Sequence, residues 1–174
     1  TDGILYTIQP KTGKVLWKYS IGEAPSALEA NGDLIIATTK NGEVVGVSIN
    51  GQKRWSVSGG KRVSYILYFK REHPLTTIAQ MLPSSIVPRW VALLYLSVIT
   101  VTQGGEIVSR DIRNGETFYA VSHGSEVTTF PTLWSRFIFF GDLNNKLVKL
   151  DGLSGKAVWS YKTEDKIRAR PLVA

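Results

Sequence analysis

The 174-residue chain contains no cysteine, one methionine and two histidines. Without cysteine it can form neither a disulfide framework nor a thiolate metal site. It has no run of 18 apolar residues, so we expect no membrane-spanning helix, and its first residues lack the charged start of a signal peptide. What is left is an ordinary globular composition, 43% hydrophobic.

The usual sequence signals of catalysis and ligand binding are also missing. There is no Gly-x-Ser-x-Gly motif, and His73 and His123 are both predicted to lie in loops without a carboxylate partner. Asp142, Asn144 and Asp151 lack the spacing and the closing glutamate of a calcium loop, so turn chemistry explains them better. The sequence therefore predicts no catalytic residue, no cofactor-binding residue and no metal site.

What the sequence does contain is one pattern that occurs four times. A polar turn opens a short apolar strand, a glycine turn follows, and an aromatic residue stands four places after the glycine. The intervals between successive glycines are 38, 64 and 40 residues, and a period near 40 with several short strands is typical of propeller blades. The glycines are Gly13, Gly51, Gly115 and Gly155, and the aromatic residues are Trp17, Trp55, Tyr119 and Trp159.

We therefore predict an all-β fold, a β-propeller of about four blades, each a four-stranded antiparallel sheet. Helical repeats of similar length fit poorly, because the apolar segments are short and β-branched and are regularly interrupted by Gly or Asn. Residues 1–174 are predicted to form a single propeller segment. Because the chain starts at an inter-strand turn and stops within a predicted strand, we expect an incomplete propeller, either part of a longer chain or closed by a partner.

The longest interval between glycines contains extra residues. Aligning residues 88–105 with residues 25–42 predicts the first strand of a blade at residues 90–93. The extra residues, 63–87, are then predicted to be an insertion between two blades. Apolar residues at helical spacing between Pro74 and Pro83 predict a short helix within it.

Positive charge is concentrated around this insertion. The net charge of the chain is +7, and between positions 53 and 90 seven basic residues stand against one acidic residue, Glu72. Such a region can contact an acidic protein, an anionic lipid or nucleic acid, or it can be a solvated loop, and no nucleic-acid-binding motif supports nucleic acid. The predicted partner surface consists of Lys53, Arg54, Lys61, Arg62, Lys70, Arg71 and Arg89.

A second candidate surface is the axial funnel, at which the loops before the innermost strands of a propeller point. The candidate funnel residues are Glu126, Arg168 and Arg170. Arg168 and Arg170 alternate, so they are predicted to share one face of a strand. Arginine side chains at such a place can bind a carboxylate or a phosphate.

The four repeats resemble those of the quinoprotein-like, or PQQ-type, β-propellers. Residues 6–17 and 148–159 both have the order of an apolar strand, a short turn with Thr-Gly or Ser-Gly, and a strand with tryptophan, and the second also has the expected Asp151. The resemblance implies that the repeat tryptophans pack between adjacent blades. Some members of this family hold PQQ and calcium, but this chain has about half the blades of such enzymes and no cysteine for their vicinal disulfide. The resemblance therefore implies the fold rather than redox chemistry.

We predict a non-enzymatic propeller scaffold or protein-binding module without a cofactor, which binds a protein partner or completes its sheets by self-association, as in lumenal sensor domains. The resemblance implies an extracytoplasmic location, the periplasm or the lumen of the endoplasmic reticulum. Two alternatives stay open. One is a fragment of a PQQ-dependent dehydrogenase, and the other is a polyanion-binding module that acts through residues 53–90.

Overall fold

The computed structural model describes residues 2–58, 60–69, 78–79, 81–83 and 85–173. The chain divides into two compact units, Thr1–Ser64 and Tyr65–Ala174, and each is described by itself. Each of the described sheets is a meander in which consecutive strands are neighbours. Three of these sheets have four strands, which confirms the predicted all-β fold built from propeller blades.

The first unit contains a two-stranded sheet, blade 1, and a four-stranded sheet, blade 2. Blade 1 comprises β1 (Ile4–Ile8) and β2 (Val15–Ser20), and blade 2 comprises β3 (Pro25–Asn31), β4 (Leu34–Thr39), β5 (Glu43–Ser48) and β6 (Lys53–Ser58). Apolar side chains from both sheets form one core, with Trp17 and Tyr19 packed against it. The buried members are Leu5, Ile21, Ala37, Val45 and Val47.

The second unit contains two four-stranded sheets, blades 3 and 4, and only the first two residues of blade 3, Val63 and Ser64, belong to the first unit. Blade 3 comprises β7 (Val63–Tyr68), β8 (Ser97–Thr102), β9 (Glu106–Asp111) and β10 (Thr117–Ser122). Blade 4 comprises β11 (Thr132–Trp134), β12 (Phe137–Gly141), β13 (Lys146–Asp151) and β14 (Ala157–Lys162). The core between them is buried and apolar, and it includes Leu67, Ile99, Ile107, Phe140 and Leu150.

The middle strands of the blades are the most deeply buried part of the fold. In β4, β5, β8 and β9 nearly every residue is buried, on both faces of the sheet. This is why β4 and β8 are mostly β-branched residues and show no alternating pattern, while β9 buries Arg110 and Asp111 as well as Ile107 and Val108. The outer strand β14, in contrast, is exposed along its whole length.

The predicted position of the insertion is wrong. Residues 63–68 form β7, which has the place in blade 3 that β3 has in blade 2, and residues 90–93 lie in a helix, α1 (Arg89–Tyr95). The extra residues therefore lie inside blade 3, between β7 and β8, and not between two blades. Leucine and alanine favour the helix, and Ala92 anchors it in a small cluster with Ala79.

The helix predicted between Pro74 and Pro83 falls largely outside the described residues. Within the described part, the Leu82 amide donates a hydrogen bond to the Ile78 carbonyl at 3.2 Å, which is one helical turn. That residues 1–174 form a single propeller segment stays a prediction.

A left-handed residue lies in the turn between the second and third strands of blades 2, 3 and 4, and in the turn directly before β1 of blade 1. These residues are Gly3, Gly42, Gly105 and Asn145, with φ between 59° and 83°. At Gly105 a Cβ would lie 2.2 Å from the Ser125 carbonyl oxygen, and at Gly42 it would lie 2.5 Å from the Lys61 carbonyl oxygen. Glycine is needed at these two turns both for its backbone conformation and for the close approach of the chain.

Aromatic side chains join successive blades within each unit. Trp17 of β2 covers Gly51 in blade 2, and its Nε1 donates to the Ile49 carbonyl at 2.6 Å. Tyr119 of β10 covers Gly155 in blade 4, and its hydroxyl donates to the Gly152 carbonyl at 2.7 Å. A Cβ on either glycine would approach the ring within 2.8 Å, so both junctions require glycine.

We predict that Gly105→Ala destabilises the protein much more than Gly32→Ala. Both glycines have positive φ, which costs alanine about 1–2 kcal/mol, but a Cβ at Gly32 meets no atom within 4 Å. The excess cost at Gly105 comes from the collision with the Ser125 carbonyl. Urea unfolding of the two variants measures it, and equal losses of stability would contradict the role of close packing.

We predict that alkaline pH weakens the junction at Tyr119. Burial, and then the charge of Asp151, raise the pKa of Tyr119 above its usual value of 10.0. Above pH 10 the unfolded chain therefore loses this proton while the folded chain keeps it. The stabilisation is complete below pH 10 and declines as pH rises toward the folded pKa, by at most about 1.4 kcal/mol per pH unit.

The measurement is the free energy of unfolding between pH 8 and pH 12 for the wild type and for Tyr119→Phe. The variant should lose about 1 kcal/mol at neutral pH, because it lacks the hydrogen bond to Gly152, and should show a shallower alkaline decline. Tyr161→Phe removes an exposed hydroxyl and serves as the control at neutral pH. Parallel alkaline curves for the wild type and Tyr119→Phe would contradict the prediction.

Candidate protein-binding surface

The basic residues of the first unit lie at opposite ends of one strand. Lys53 begins β6, whereas Lys61 and Arg62 follow its end, so the length of the strand, about 16 Å, separates them. Arg54 points to the turn between β3 and β4 and forms an ion pair with Asp33 at 2.5 Å. These four residues are exposed but do not form one cluster.

Arg89 is the basic residue of the predicted surface that lies in the second unit. Its Nη2 donates to the carbonyls of Phe118 at 2.8 Å and Thr117 at 3.3 Å, and its Nη1 lies 3.8 Å from Glu116 Oε1. The guanidinium also lies 5.6 Å from the centre of the Phe118 ring. Arg89 therefore fastens α1 to β10. Lys70 and Arg71, the other two predicted residues, lie outside the described residues.

A small hollow of about 100 Å³ lies beside α1. Arg89, Glu116, Asp111 and Arg113 contribute its charged groups. Arg113 forms a two-point ion pair with the buried Asp111, in which Nη2–Oδ2 is 2.6 Å and Nε–Oδ1 is 3.0 Å. Because the opposite charges are paired with one another, the hollow offers no strong charge to a ligand.

Arg170 is part of a compact group where the innermost strands begin. The rings of Tyr65 and Phe130 meet edge to face at 5.2 Å, and the Arg170 guanidinium lies 5.0 Å from the Phe130 ring centre. Arg170 Nε also donates to Thr132 Oγ1 at 3.0 Å, and burial raises the pKa of Tyr65. We call Tyr65, Phe130, Thr132 and Arg170 the inner-strand site. Phe130 is 44% exposed, so the site presents an aromatic surface to solvent.

The other two candidate funnel residues are less constrained. Glu126 and Arg168 are both exposed, and the Glu126 carbonyl accepts a hydrogen bond from the Leu143 amide. The expectation that Arg168 and Arg170 share one face of a strand is wrong, because residues 163–173 form no strand. The segment instead follows blade 4 through single hydrogen bonds, such as the one from Thr128 Oγ1 to the carbonyl of Ile167.

The two predicted surfaces share one position in the repeat. In the first unit the Ser26 hydroxyl donates to the Val63 carbonyl at 2.9 Å, and in the second unit the Thr132 hydroxyl donates to the Pro171 carbonyl. Val63 and Pro171 are therefore equivalent. Arg62 and Arg170 directly precede them, so both occupy the repeat position just before the place of a blade's innermost strand.

His123 has a carboxylate partner, contrary to the sequence-based expectation. Its Nε2 lies 3.0 Å from Oδ2 of Asp142, which is 2% exposed. Asp142 Oδ1 also accepts a hydrogen bond from the Lys146 amide. In the same turn of blades 2 and 3, the hydroxyls of Thr39 and Thr102 accept from the amides of Glu43 and Glu106. The sequence signal for this contact was an aspartate at a position where blades 2 and 3 have threonine, because the second carboxylate oxygen needs another hydrogen-bond donor. The pair joins blades 3 and 4.

Among the residues that the structure describes, no three His, Asp or Glu side chains are grouped to hold a metal ion. Nor does this part of the chain contain a helix that is both long and apolar enough to span a membrane.

The outer-strand aromatics, predicted to be packing residues, differ in how far they are covered. Trp55 is 6% exposed, whereas Trp159 is 41% exposed on β14. Sequence reasoning missed this difference, because it depends on what lies beside each blade and not on the repeat itself.

Comparison with solved structures shows the same fold in proteins of low sequence identity. BamB from Moraxella catarrhalis superposes with a TM-score of 0.66 at 18% identity, over 92% of this chain and 44% of that chain. The computationally designed protein Ika4 gives 0.64 at 15% identity, over 91% and 86%, and the designed Ika8 gives 0.57 at 14%, over 97% and 59%. The chain thus spans less than half the length of the Moraxella protein.

No curated protein matches the chain. The family model PQQ_2, described as outer membrane protein assembly factor BamB, matches residues 1–122. This match covers more than half of the sequence and agrees with the β-propeller blades of the structure. The chain therefore belongs to the PQQ_2 family.

Proposed function

We propose that the chain is a non-enzymatic scaffold that binds a protein partner on the extracytoplasmic side of a membrane. Membership of a family described as an outer membrane protein assembly factor supports both the role and the location. The observation that carries the proposal is the inner-strand site, in which an exposed phenylalanine is held between a tyrosine and an arginine.

The inner-strand site has the chemistry of a protein-binding hot spot. Aromatic residues and arginine are enriched at the centres of interfaces, where they combine apolar area with hydrogen bonding. Tyr65 fixes the Phe130 ring in advance, so little side-chain freedom is lost on binding. The terminal nitrogens of Arg170 have no acceptor among the described residues and can take a carboxylate. The partner segment is therefore apolar with an adjacent acidic residue.

The basic residues of the first unit are proposed as contacts of their own to an acidic protein. Arg62 has the repeat position of Arg170, while Lys53 and Arg54 lie at the far end of β6. The geometry gives less support to a polyanion-binding module, because the basic residues of the first unit lie at opposite ends of β6 and Arg54 and Arg89 are already paired.

A PQQ-dependent dehydrogenase also receives little support from the inner-strand site. Calcium beside a quinone needs several carboxylate and carbonyl oxygens. The side chains that meet at the inner-strand site are two aromatic rings, a hydroxyl and a guanidinium, with no carboxylate among them. These groups do not fit a calcium-bound quinone cofactor.

We also propose that the protein self-associates. Within the described residues the exposed outer strand β14 pairs only with β13, so its other edge has no partner there. Unpaired backbone groups at such edges favour the addition of another strand.

The expected outcome for the scaffold is selective binding of acidic–aromatic peptides. Random peptides displayed on phage are selected against the immobilised 174-residue chain, and synthetic copies are then tested by fluorescence anisotropy. Phe130→Ala and Arg170→Gln should each weaken the selected peptides about tenfold or more. Lys166→Gln removes the same charge from the same segment and should have little effect.

Two outcomes would contradict the inner-strand site as the binding surface. One is the absence of enriched peptides, and the other is equal binding of enriched peptides to the wild type, Phe130→Ala and Arg170→Gln.

For self-association, light scattering of the wild-type chain should show a dimer whose fraction rises with protein concentration and persists at high salt. A monomer at every concentration would contradict self-association while leaving the peptide-binding role open.

A further inference from the structure

Four Asn-Gly pairs occur in the chain, and each stands at a turn of a blade. An asparagine followed by glycine can react with itself, because the glycine amide nitrogen can attack the asparagine side chain and glycine has no Cβ to obstruct the approach. In all four pairs the glycine has positive φ. The pairs are Asn31-Gly32, Asn41-Gly42, Asn50-Gly51 and Asn114-Gly115.

The surroundings of each pair decide whether it reacts in the folded protein. The attacking nitrogen must first lose its proton to a base in the solvent, so an amide that is hydrogen-bonded and covered is protected, as it is from hydrogen exchange. The asparagine side chain must also be free to turn toward this amide. The structure therefore distinguishes four pairs that are alike in sequence.

Three of the four glycine amides are hydrogen-bonded within their turns. Gly42, Gly51 and Gly115 each donate to a backbone carbonyl a few residues earlier. The acceptors are the carbonyls of Thr39, Ser48 and Asp111, at 3.1, 2.9 and 2.8 Å respectively. Removal of the proton from any of these nitrogens would break a hydrogen bond that closes the turn.

The same three glycines are also covered. Gly42 and Gly115 are buried. The ring of Trp17 lies on Gly51, where a Cβ would come within 2.8 Å of it. Solvent base therefore has little access to these three amides while the protein is folded.

Two of the asparagine side chains are held by further contacts. Asn41 Nδ2 donates to Glu23 Oε2 at 3.3 Å, and its backbone amide donates to the other oxygen of that carboxylate. Asn114 Oδ1 accepts from the Glu116 amide at 3.0 Å. Both side chains must give up a hydrogen bond before they can turn toward the following glycine.

The turn between β3 and β4 lacks all of these protections. Gly32 is exposed, its amide donates no hydrogen bond within the part of the chain that the structure describes, and a Cβ there would meet no atom within 4 Å. The side chain of Asn31 is half-buried and forms no hydrogen bond with the described residues. Both reacting groups are thus free in the folded state.

We propose that Asn31 is a site of selective deamidation in the folded protein. The Gly32 nitrogen, after losing its proton, bonds to Asn31 Cγ, the bond from Cγ to the side-chain nitrogen breaks, and this nitrogen leaves as ammonia with the proton. Water then opens the resulting succinimide ring. Addition at the side-chain carbonyl gives aspartate, and addition at the backbone carbonyl gives isoaspartate, so only water is consumed.

The product changes one turn of blade 2. Either product replaces a neutral amide with a carboxylate, and isoaspartate also adds one methylene to the backbone. Asn31 pairs with Leu34 at the end of the β3–β4 ladder, and Asp33 of the same turn is paired with Arg54. Deamidation therefore adds a negative charge beside an existing carboxylate and alters the backbone where the ladder closes.

The test follows the four asparagines by mass spectrometry after the 174-residue chain is incubated at mildly alkaline pH. Trypsin releases Asn31 in residues 19–40 and Asn114 in residues 114–136, each as the sole asparagine of its peptide, and fragmentation separates Asn41 from Asn50 in residues 41–53. Asn31 should deamidate about fivefold faster or more than each of the others, the factor that one hydrogen bond supplies. A sample digested without incubation gives the background.

The same incubation in urea is the matched control. The unfolded chain loses the turn hydrogen bonds and the covering side chains, so all four Asn-Gly pairs should react at similar rates. Gly32→Ala should fold, because its Cβ meets no atom within 4 Å, and should slow deamidation of Asn31 alone.

Two results would overturn the proposal. One is a native protein in which Asn31 reacts no faster than the other three asparagines, which would mean that the turn protects it as well. The other is an excess at Asn31 that persists unchanged in urea, which would assign the reactivity to the neighbouring sequence and not to the open turn.

Discussion

The packing of an aromatic ring on a left-handed glycine is the contact on which this fold depends. A single blade cannot stand alone, because its middle strands are buried on both faces and must be covered on both sides. Trp17 and Tyr119 hold successive blades at a defined distance, and only glycine lets the rings approach. A hydrogen bond from each aromatic side chain to a turn carbonyl of the next blade also fixes the orientation of the ring. Apolar packing between the blades is thereby restricted to one arrangement.

Turns were the part of the fold that the sequence predicted best. Gly13, Gly51, Gly115 and Gly155 all have positive φ, and the aromatic residue four places later has the same register in each blade. These features are local, since a glycine turn and a short β-branched strand are determined largely by their own residues. The family and the blade architecture therefore followed from the repeat alone.

Features that depend on distant neighbours were not predictable in the same way. The run at residues 89–95 is compatible with a buried strand or a helix, and its packing around Ala92 selects the helix. His123 and Asp142 are 19 residues apart and belong to different blades, so no local pattern announces their contact. The inner-strand site combines Tyr65 with residues near 130 and 170, and only the folded repeat brings them together.

In a repeat protein the constant positions build the fold, so specificity must come from the positions that vary. The residue before each innermost position shows this division most clearly. It is Ala24 in blade 2, Arg62 before β7, Phe130 in blade 4 and Arg170 in the last segment. In each unit the carbonyl of the next residue, Val63 or Pro171, accepts a hydrogen bond from a hydroxyl. The backbone is therefore held in place, while the side chain at this position can vary. A small residue, two arginines and a phenylalanine stand at equivalent places, whereas binding of a uniform polyanion would favour the same basic side chain in every blade.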